Sequence, residues 1–148
     1  MFSRSKKKNA AQEDYNLAKQ YCDQRKYAKA ETLFQKSAQE REKVLGAEHK
    51  DTLDSKFWLA LTVHGQQQYA KAETLFQKSA QEREKVLGAE DRATLDSKFW
   101  LALTVHGQRQ YAKAETLFRK SVQEREKVLV QTLAGTGAKT REGIRCRP

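Results

Sequence analysis

One stretch of nineteen residues occurs three times in this chain of 148 residues, at a spacing of 42. "YAKAETLFQKSAQEREKVL" begins at Tyr27 and again at Tyr69, and the copy from Tyr111 differs only at Arg119 and Val122. A catalytic site needs one constellation of unlike residues, whereas a stacked array presents the same face in every unit. The repetition therefore predicts a one-dimensional array of equal structural units.

The repeated stretch has the pattern of an amphipathic helix. Apolar and small residues follow three-and-four spacing through residues 27–45, and Ser37 and Arg41 lie on the same stripe. Gly46 and Gly88 follow the first two copies, at the point where a left-handed residue ends a helix at low cost. The stretch is therefore predicted to form the second helix of each unit.

The segment between the copies, "TLDSKFWLALTVHGQQQ" from Thr52, is apolar on nearly all sides and predicts a helix covered by more than one neighbour. Thr52 and its copy Thr94 are suited to N-capping. Residues 9–25 look like a more polar version of this helix, as a terminal repeat should. Six helices are predicted, near residues 9–25, 27–45, 52–66, 69–87, 94–108 and 111–134.

Small residues occupy two fixed positions of the repeat, namely Ala18, Ala60 and Ala102 in the first helix and Ala30, Ala72 and Ala114 in the second. Together with Tyr-x-x-Ala in the second helix, this pattern resembles the tetratricopeptide repeat. The 42-residue period, closed by "EREKVLG" and opened by "DTL", resembles the longer kinesin-light-chain kind, which also forms terminal arrays in fungal signalling proteins with a nucleotide-binding domain. The resemblance implies an all-α solenoid of three stacked helix–turn–helix repeats in a right-handed superhelix, at about 9–46, 52–88 and 94–134.

The resemblance also implies a non-catalytic scaffold that binds a peptide or helix of a protein partner in the concave groove formed by the first helices. Counted from the small residue, the groove positions fall on Gln12, Tyr15, Lys19 and Cys22, then Asp54, Phe57, Leu61 and His64, then Asp96, Phe99, Leu103 and His106. The alternative for the aromatic and leucine residues among them is that they belong to the core. Trp58 and Trp100 are expected to pack between repeats.

Most of the net charge of +10 lies outside the array. Residues 1–8 carry four positive charges and no negative one, residues 130–148 carry four against one, and the region between holds 21 basic and 18 acidic residues. Residues 1–8 and 135–148 are therefore predicted to be basic, disordered tails. An alternative function follows, in which a nucleic-acid-associated protein acts through these tails.

The isolated residues Cys22 and Cys146 indicate a reducing compartment, so a cytoplasmic location is expected. The nucleus is the alternative, through the N-terminal basic cluster. No membrane association is predicted.

No catalytic, cofactor or metal site is predicted. "GTGAKT" at residues 135–140 lacks the glycine before Lys139 that a phosphate-binding loop needs, and no strand precedes it. His64 and His106 are one repeat apart, too far to share one metal ion. The expectation is that the chain is not an enzyme.

After Leu129 the sequence departs from the repeat, and the last helix is expected to end at Gly135. With no following first helix, the apolar face of the third unit is left uncovered. Two expectations follow. The chain is a fragment of a larger signalling or kinesin-light-chain-like protein, a truncated paralogue or the product of a mispredicted gene end, and it self-associates weakly through the uncapped C-terminal repeat.

Overall fold

The computed structural model describes the backbone of residues 3–145 and the side chains of residues 3–135. Its helices are α1 (Arg4–Asp23), α2 (Tyr27–Leu45), α3 (Lys50–Gly65), α4 (Tyr69–Leu87), α5 (Arg92–Gly107) and α6 (Tyr111–Arg145). No strand occurs within residues 3–145. Each helix packs against its neighbours in chain order, and α3 also contacts α5. The predicted all-α solenoid of helical repeats is confirmed.

The two helices of each unit are joined by a tight turn with the same geometry in every copy. Arg25, Gln67 and Arg109 hold φ values of 57°, 61° and 63°, in the left-handed region. Such a conformation costs a non-glycine residue on the order of 1 kcal/mol. Because no glycine stands at these positions, the sequence did not reveal the left-handed residue.

The loops between units begin at the glycines that the sequence indicated. Gly46 and Gly88, at φ values of 99° and 96°, end α2 and α4. The predicted N-caps were wrong, because Thr52 Oγ1 donates back to the carbonyl of Gly46 at 2.8 Å and Thr94 does the same to Gly88. The helices that follow begin two residues earlier than predicted.

The cap of α3 is His49, whose Nδ1 accepts from the amide of Asp51 at 3.1 Å, and the cap of α5 is Asp91, whose Oδ1 accepts from the amide of Ala93 at 2.8 Å.

The first helix begins upstream of the predicted residue 9. Ser3 caps it by accepting from the amide of Lys6, and residues 4–8 are helical, not a disordered tail. Arg4 Nη2 also donates to the carbonyl of Val44 at 3.0 Å, which joins α1 to the end of α2. Lysine and alanine are good helix formers, so nothing in this segment stops the helix.

The last helix runs past the predicted stop at Gly135 and reaches Arg145. In the third copy Val130 replaces the glycine that ends α2 and α4, so no left-handed residue interrupts the chain there. Gly135 costs a helix about 1 kcal/mol but does not end it. The backbone of residues 135–145 is therefore helical; residues 146–148 of the expected disordered tail lie outside the described residues.

Two core clusters hold the units together. One is built around Tyr15 and Phe34 and the other around Phe57 and Phe76, with fully buried alanines between the helices. Ala18, Ala60, Ala102, Ala30 and Ala72 are 0% exposed, which confirms that small residues let the paired helices approach closely. Each tryptophan packs against the core of the unit before its own, as predicted: Trp58 against the first cluster and Trp100 against the second.

Candidate protein-binding surface

The predicted groove residues lie in four rows along α1, α3 and α5, the first helices of the three units. We call this surface the first-helix face. Direct contacts join neighbouring first helices: Tyr15 Oη donates to Asp54 Oδ2 at 2.7 Å, and His64 Nδ1 lies 3.0 Å from Thr104 Oγ1. Between them, Cys22 Sγ lies 3.3 Å from Thr62 Oγ1.

The aromatic row of the first-helix face is mostly core. Tyr15 and Phe57 are each 8% exposed, and their rings pack edge-on against Phe34 and Phe76 at centroid distances of 5.7 and 5.8 Å. Burial and the hydrogen bond to Asp54 raise the pKa of Tyr15 well above its usual value. Only Phe99, in the last unit, is 36% exposed. A partner can therefore contact little of this row.

The acidic row is occupied by arginines of the second helices. Arg83 Nη2 donates to Asp54 Oδ1 at 3.1 Å, and Arg125 Nη2 donates to Asp96 Oδ1 at 2.9 Å. In the first unit Gln12 stands at this position and accepts from Arg41. These carboxylates are thus part of the packing between helices, and their charge is largely compensated.

The two histidines at one repeat position have different surroundings. His64 lies at centroid distances of 5.2 and 5.4 Å from the rings of Tyr69 and Trp100, and burial lowers its pKa. His106 is exposed, and its ring centre lies 5.2 Å from that of Tyr111. The difference arises because α5 of the following unit covers His64, whereas no described helix follows to cover His106.

The row Lys19, Leu61 and Leu103 is a partly exposed row of the first-helix face with an apolar character. All three side chains are half-buried, and they occupy equivalent positions on consecutive first helices. Lys19 Nζ lies 4.9 Å from the ring centre of Trp58, which holds the ammonium beside the apolar surface. This row combines one cation with two apolar positions at a fixed step.

A set of buried arginines in the second helices was not recognised from the sequence. Arg41 and Arg83 are 4% and 3% exposed. Arg41 Nη1 donates to the carbonyl of Asp51 at 2.8 Å and to Ser55 Oγ at 2.9 Å, so it ties α2 to the next unit. The signal was present, since an arginine on an apolar stripe is a buried charge that needs fixed partners.

Within the residues that the structure describes, no cluster of histidine, cysteine and acidic side chains could hold a metal ion. None of the described helices combines the length and apolar character needed to cross a bilayer. Stacked helical repeats present extended surfaces of the kind that solenoid proteins use for binding.

Two family models for the tetratricopeptide repeat match the chain, over residues 54–127 and 15–51. The chain belongs to the tetratricopeptide repeat family. Repeats of this family generally mediate protein–protein interactions.

Solved structures of similar fold come from Podosopora anserina, from a protein assigned as a kinesin light chain with nearly identical repeats. The chain matches that protein with a TM-score of 0.68 at 23% identity, covering 79% of this chain and 56% of that one. A one-residue variant of it matches with a TM-score of 0.70 at 23% identity, covering 80% and 56%. The chain thus shares the fold of the kinesin-light-chain-like repeats that its sequence resembles, and it spans about half the length of these proteins. A search of curated proteins gave no significant match.

Proposed function

We propose that the chain is a non-catalytic scaffold that holds an extended peptide segment of a partner protein along the first-helix face. The observation that carries this proposal is the row Lys19, Leu61 and Leu103, which is accessible and repeats at a fixed step. Beside it, Tyr15 and Phe57 of the aromatic row are buried, and Asp54 and Asp96 of the acidic row are bonded to arginines of the second helices.

The step of this row suits an extended peptide. Packed helices lie about 10 Å apart, and a polyproline-II segment advances about 9 Å for every three residues while returning to the same side. Apolar side chains three residues apart would therefore reach Leu61 and Leu103 in turn. An acidic residue at the same spacing would reach Lys19.

A peptide selection tests this proposal. A displayed library of twelve-residue peptides is selected on the full chain, and the enriched peptides are titrated by fluorescence polarisation. We expect enriched sequences with apolar residues three apart, and at least tenfold weaker binding to Leu61→Lys and Leu103→Lys. Val86→Lys, an exposed apolar position on α4 away from this face, is the matched control and should bind normally. Peptides that bind the leucine variants as well as the parent would contradict the proposal.

A nucleic-acid function is the second candidate, favoured by the exposed basic residues Arg4, Lys6, Lys7 and Lys8 in the first turns of α1. Such binding would weaken steeply with salt and disappear when the three lysines are replaced by glutamine. Peptide binding at the first-helix face should survive both changes. For the scaffold function we propose the cytoplasm, with the nucleus as the alternative through the same basic cluster, and imaging of a fluorescent fusion would separate the two.

A further inference from the structure

Both internal boundaries of the array are joined by the same polar contacts. Ser79 Oγ lies 3.2 Å from Ser97 Oγ of the next unit, and Arg83 Nη1 donates to Ser97 Oγ and to the carbonyl of Ala93, both at 3.0 Å. The first boundary repeats this arrangement through Ser37 and its neighbours. At each boundary, one serine and one arginine of the second helix thus form hydrogen bonds with the first helix of the following unit.

Two further contacts recur at these boundaries. Phe76 stacks on Trp100 at a centroid distance of 6.2 Å and an interplanar angle of 16°, as Phe34 stacks on Trp58. The ammonium of Lys98 lies 3.5 Å from Glu84, a contact that Lys56 and Glu42 repeat at 3.7 Å. A following helix is therefore recognised by its serine, lysine and tryptophan.

Helix α6 carries the counterparts of all the second-helix residues that make these boundary contacts. Among the described residues, however, no helix follows α6 for them to bind. Ser121 is 2% exposed, and its hydroxyl has no hydrogen-bond partner among the described side chains. Arg125 keeps its bond to Asp96, while within the described part of the chain no bond corresponds to those that Arg83 makes to the next unit. A buried hydroxyl without a partner costs on the order of 1–3 kcal/mol, which a docked helix would recover.

The same face of α6 exposes an apolar stripe. Val122, Leu129 and Leu133 are 53%, 58% and 63% exposed, and they continue the line of Phe118 at helical spacing. A depression between α5 and α6, lined by Leu95, Arg125 and Leu129 among others, lies where the first turn of a following helix would be. Apolar and polar features thus coincide on one surface, which we call the open end.

We propose that the open end binds an amphipathic helix from a partner protein. This helix carries the serine, lysine and tryptophan that α3 and α5 share. Numbered as in α5, these are a serine at position 97, a lysine at 98 and a tryptophan at 100. The serine would face Ser121 and Arg125, and the tryptophan would stack on Phe118. The lysine would lie beside Glu126, the counterpart of Glu84.

A second copy of the chain supplies a poorer occupant. Only its α1 presents an uncovered first helix, and the positions of the serine, lysine and tryptophan are there Glu13, Asp14 and Asn16. Asn16 offers no ring to Phe118, and Asp14 would place a second carboxylate beside Glu126. The open end therefore favours a partner helix over the end-to-end self-association that the sequence suggested.

A peptide titration with a charge swap tests the proposal. The full chain is titrated with a fluorescein-labelled peptide of residues 92–108 and with the same peptide carrying Ser97→Glu, Lys98→Asp and Trp100→Asn, which copy α1. We expect saturable binding of the first peptide and at least tenfold weaker binding of the second. Glu126→Lys in the protein should weaken the first peptide about tenfold, and Lys98→Glu in the peptide should restore it.

Two protein variants separate this site from others. Leu61→Lys, on the first-helix face, should leave the titration unchanged, so the proposed scaffold function and this proposal can fail independently. Glu84→Lys, at an internal boundary, should also leave it unchanged, because the peptide does not exchange with α5. The proposal is overturned if the peptide does not bind, if both peptides bind equally, or if Glu126→Lys has no effect.

Discussion

Ser79 and Ser121 occupy the same repeat position in local sequences that differ only at Arg119 and Val122, yet their hydroxyls meet different surroundings. Ser79 Oγ is paired with Ser97 across a unit boundary, whereas Ser121 Oγ is buried without a partner in the part of the chain that the structure describes. A net hydrogen bond stabilises a fold by about 1 kcal/mol, and an unpaired buried hydroxyl destabilises it by a similar amount. The contribution of a boundary residue to the stability of the fold therefore depends on whether another unit follows it.

Alanine substitutions at the two serines should act in opposite directions. We expect Ser79→Ala to lower the free energy of unfolding by about 1 kcal/mol, and Ser121→Ala to leave it unchanged or raise it. Urea denaturation followed by circular dichroism measures both values. Equal losses in the two variants would mean that Ser121 has a partner in solution.

His64 should make stability depend on pH in the mildly acidic range. Because burial lowers its pKa below the usual 6.5, the unfolded chain binds a proton more readily than the folded one. Its destabilising effect is absent above pH 6.5 and grows as the pH falls below that value. We expect His64→Asn to reduce the loss of urea midpoint between pH 7.5 and 5.5, and a loss as large as in the parent would contradict this role of His64.

For single residues, the sequence correctly predicted which face of the helix a side chain occupies, but not which residues that side chain contacts. Periodicity placed Ser37 and Arg41 on the apolar stripe, and it placed the small residues that the structure buries completely. It did not predict that Arg41 would reach Ser55 of the next unit, because that contact depends on the angle between units. Whether the first-helix face binds a peptide stays a prediction.

The sequence correctly predicted the end of each helix that is followed by a glycine in the left-handed conformation. Helices α2 and α4 end as predicted before Gly46 and Gly88, but α6 passes Gly135. A glycine ends a helix when the chain beyond it packs elsewhere, as α3 and α5 do. Beyond Val130 the described backbone stays helical as far as Arg145.

Two helical glycines should respond oppositely to alanine. A Cβ at Gly65 would lie 2.7 Å from the ring of Tyr27, whereas at Gly135 it would meet nothing within 4 Å. We expect Gly65→Ala to lower the thermal midpoint because the tyrosine ring must shift, and Gly135→Ala to increase helical ellipticity because alanine favours a helix by about 1 kcal/mol. Thermal scans monitored at 222 nm measure both effects, and a Gly65→Ala variant as stable as the parent would show that the close contact is relaxed at no cost.

The architecture of the whole molecule follows from repetition, since each unit buries the same face against its neighbour. The repeat in the sequence was therefore sufficient to predict the solenoid. It was insufficient to predict what lies at the open end, because three equal copies of Phe34, Ser37 and Arg41 look alike until the following helix is known to be present or missing. Only the geometry distinguishes the occupied boundaries from the unoccupied one.

The most direct measurement is the stability of a chain in which residues 130–148 are replaced by a further copy of residues 88–107. That segment supplies the missing first helix with its serine, lysine and tryptophan. The matched control carries glutamate, aspartate and asparagine at those three positions, as α1 does. Covering the apolar stripe and pairing Ser121 and Arg125 should raise the free energy of unfolding in urea by about 2–4 kcal/mol over the parent.

The control should gain less than half of that increase, because it lacks the ring that stacks on Phe118 and the charge that meets Glu126. This result would show that the open end recognises a helix through the same contacts that join the units. An extended chain no more stable than the parent, or a control as stable as the extended chain, would contradict the account.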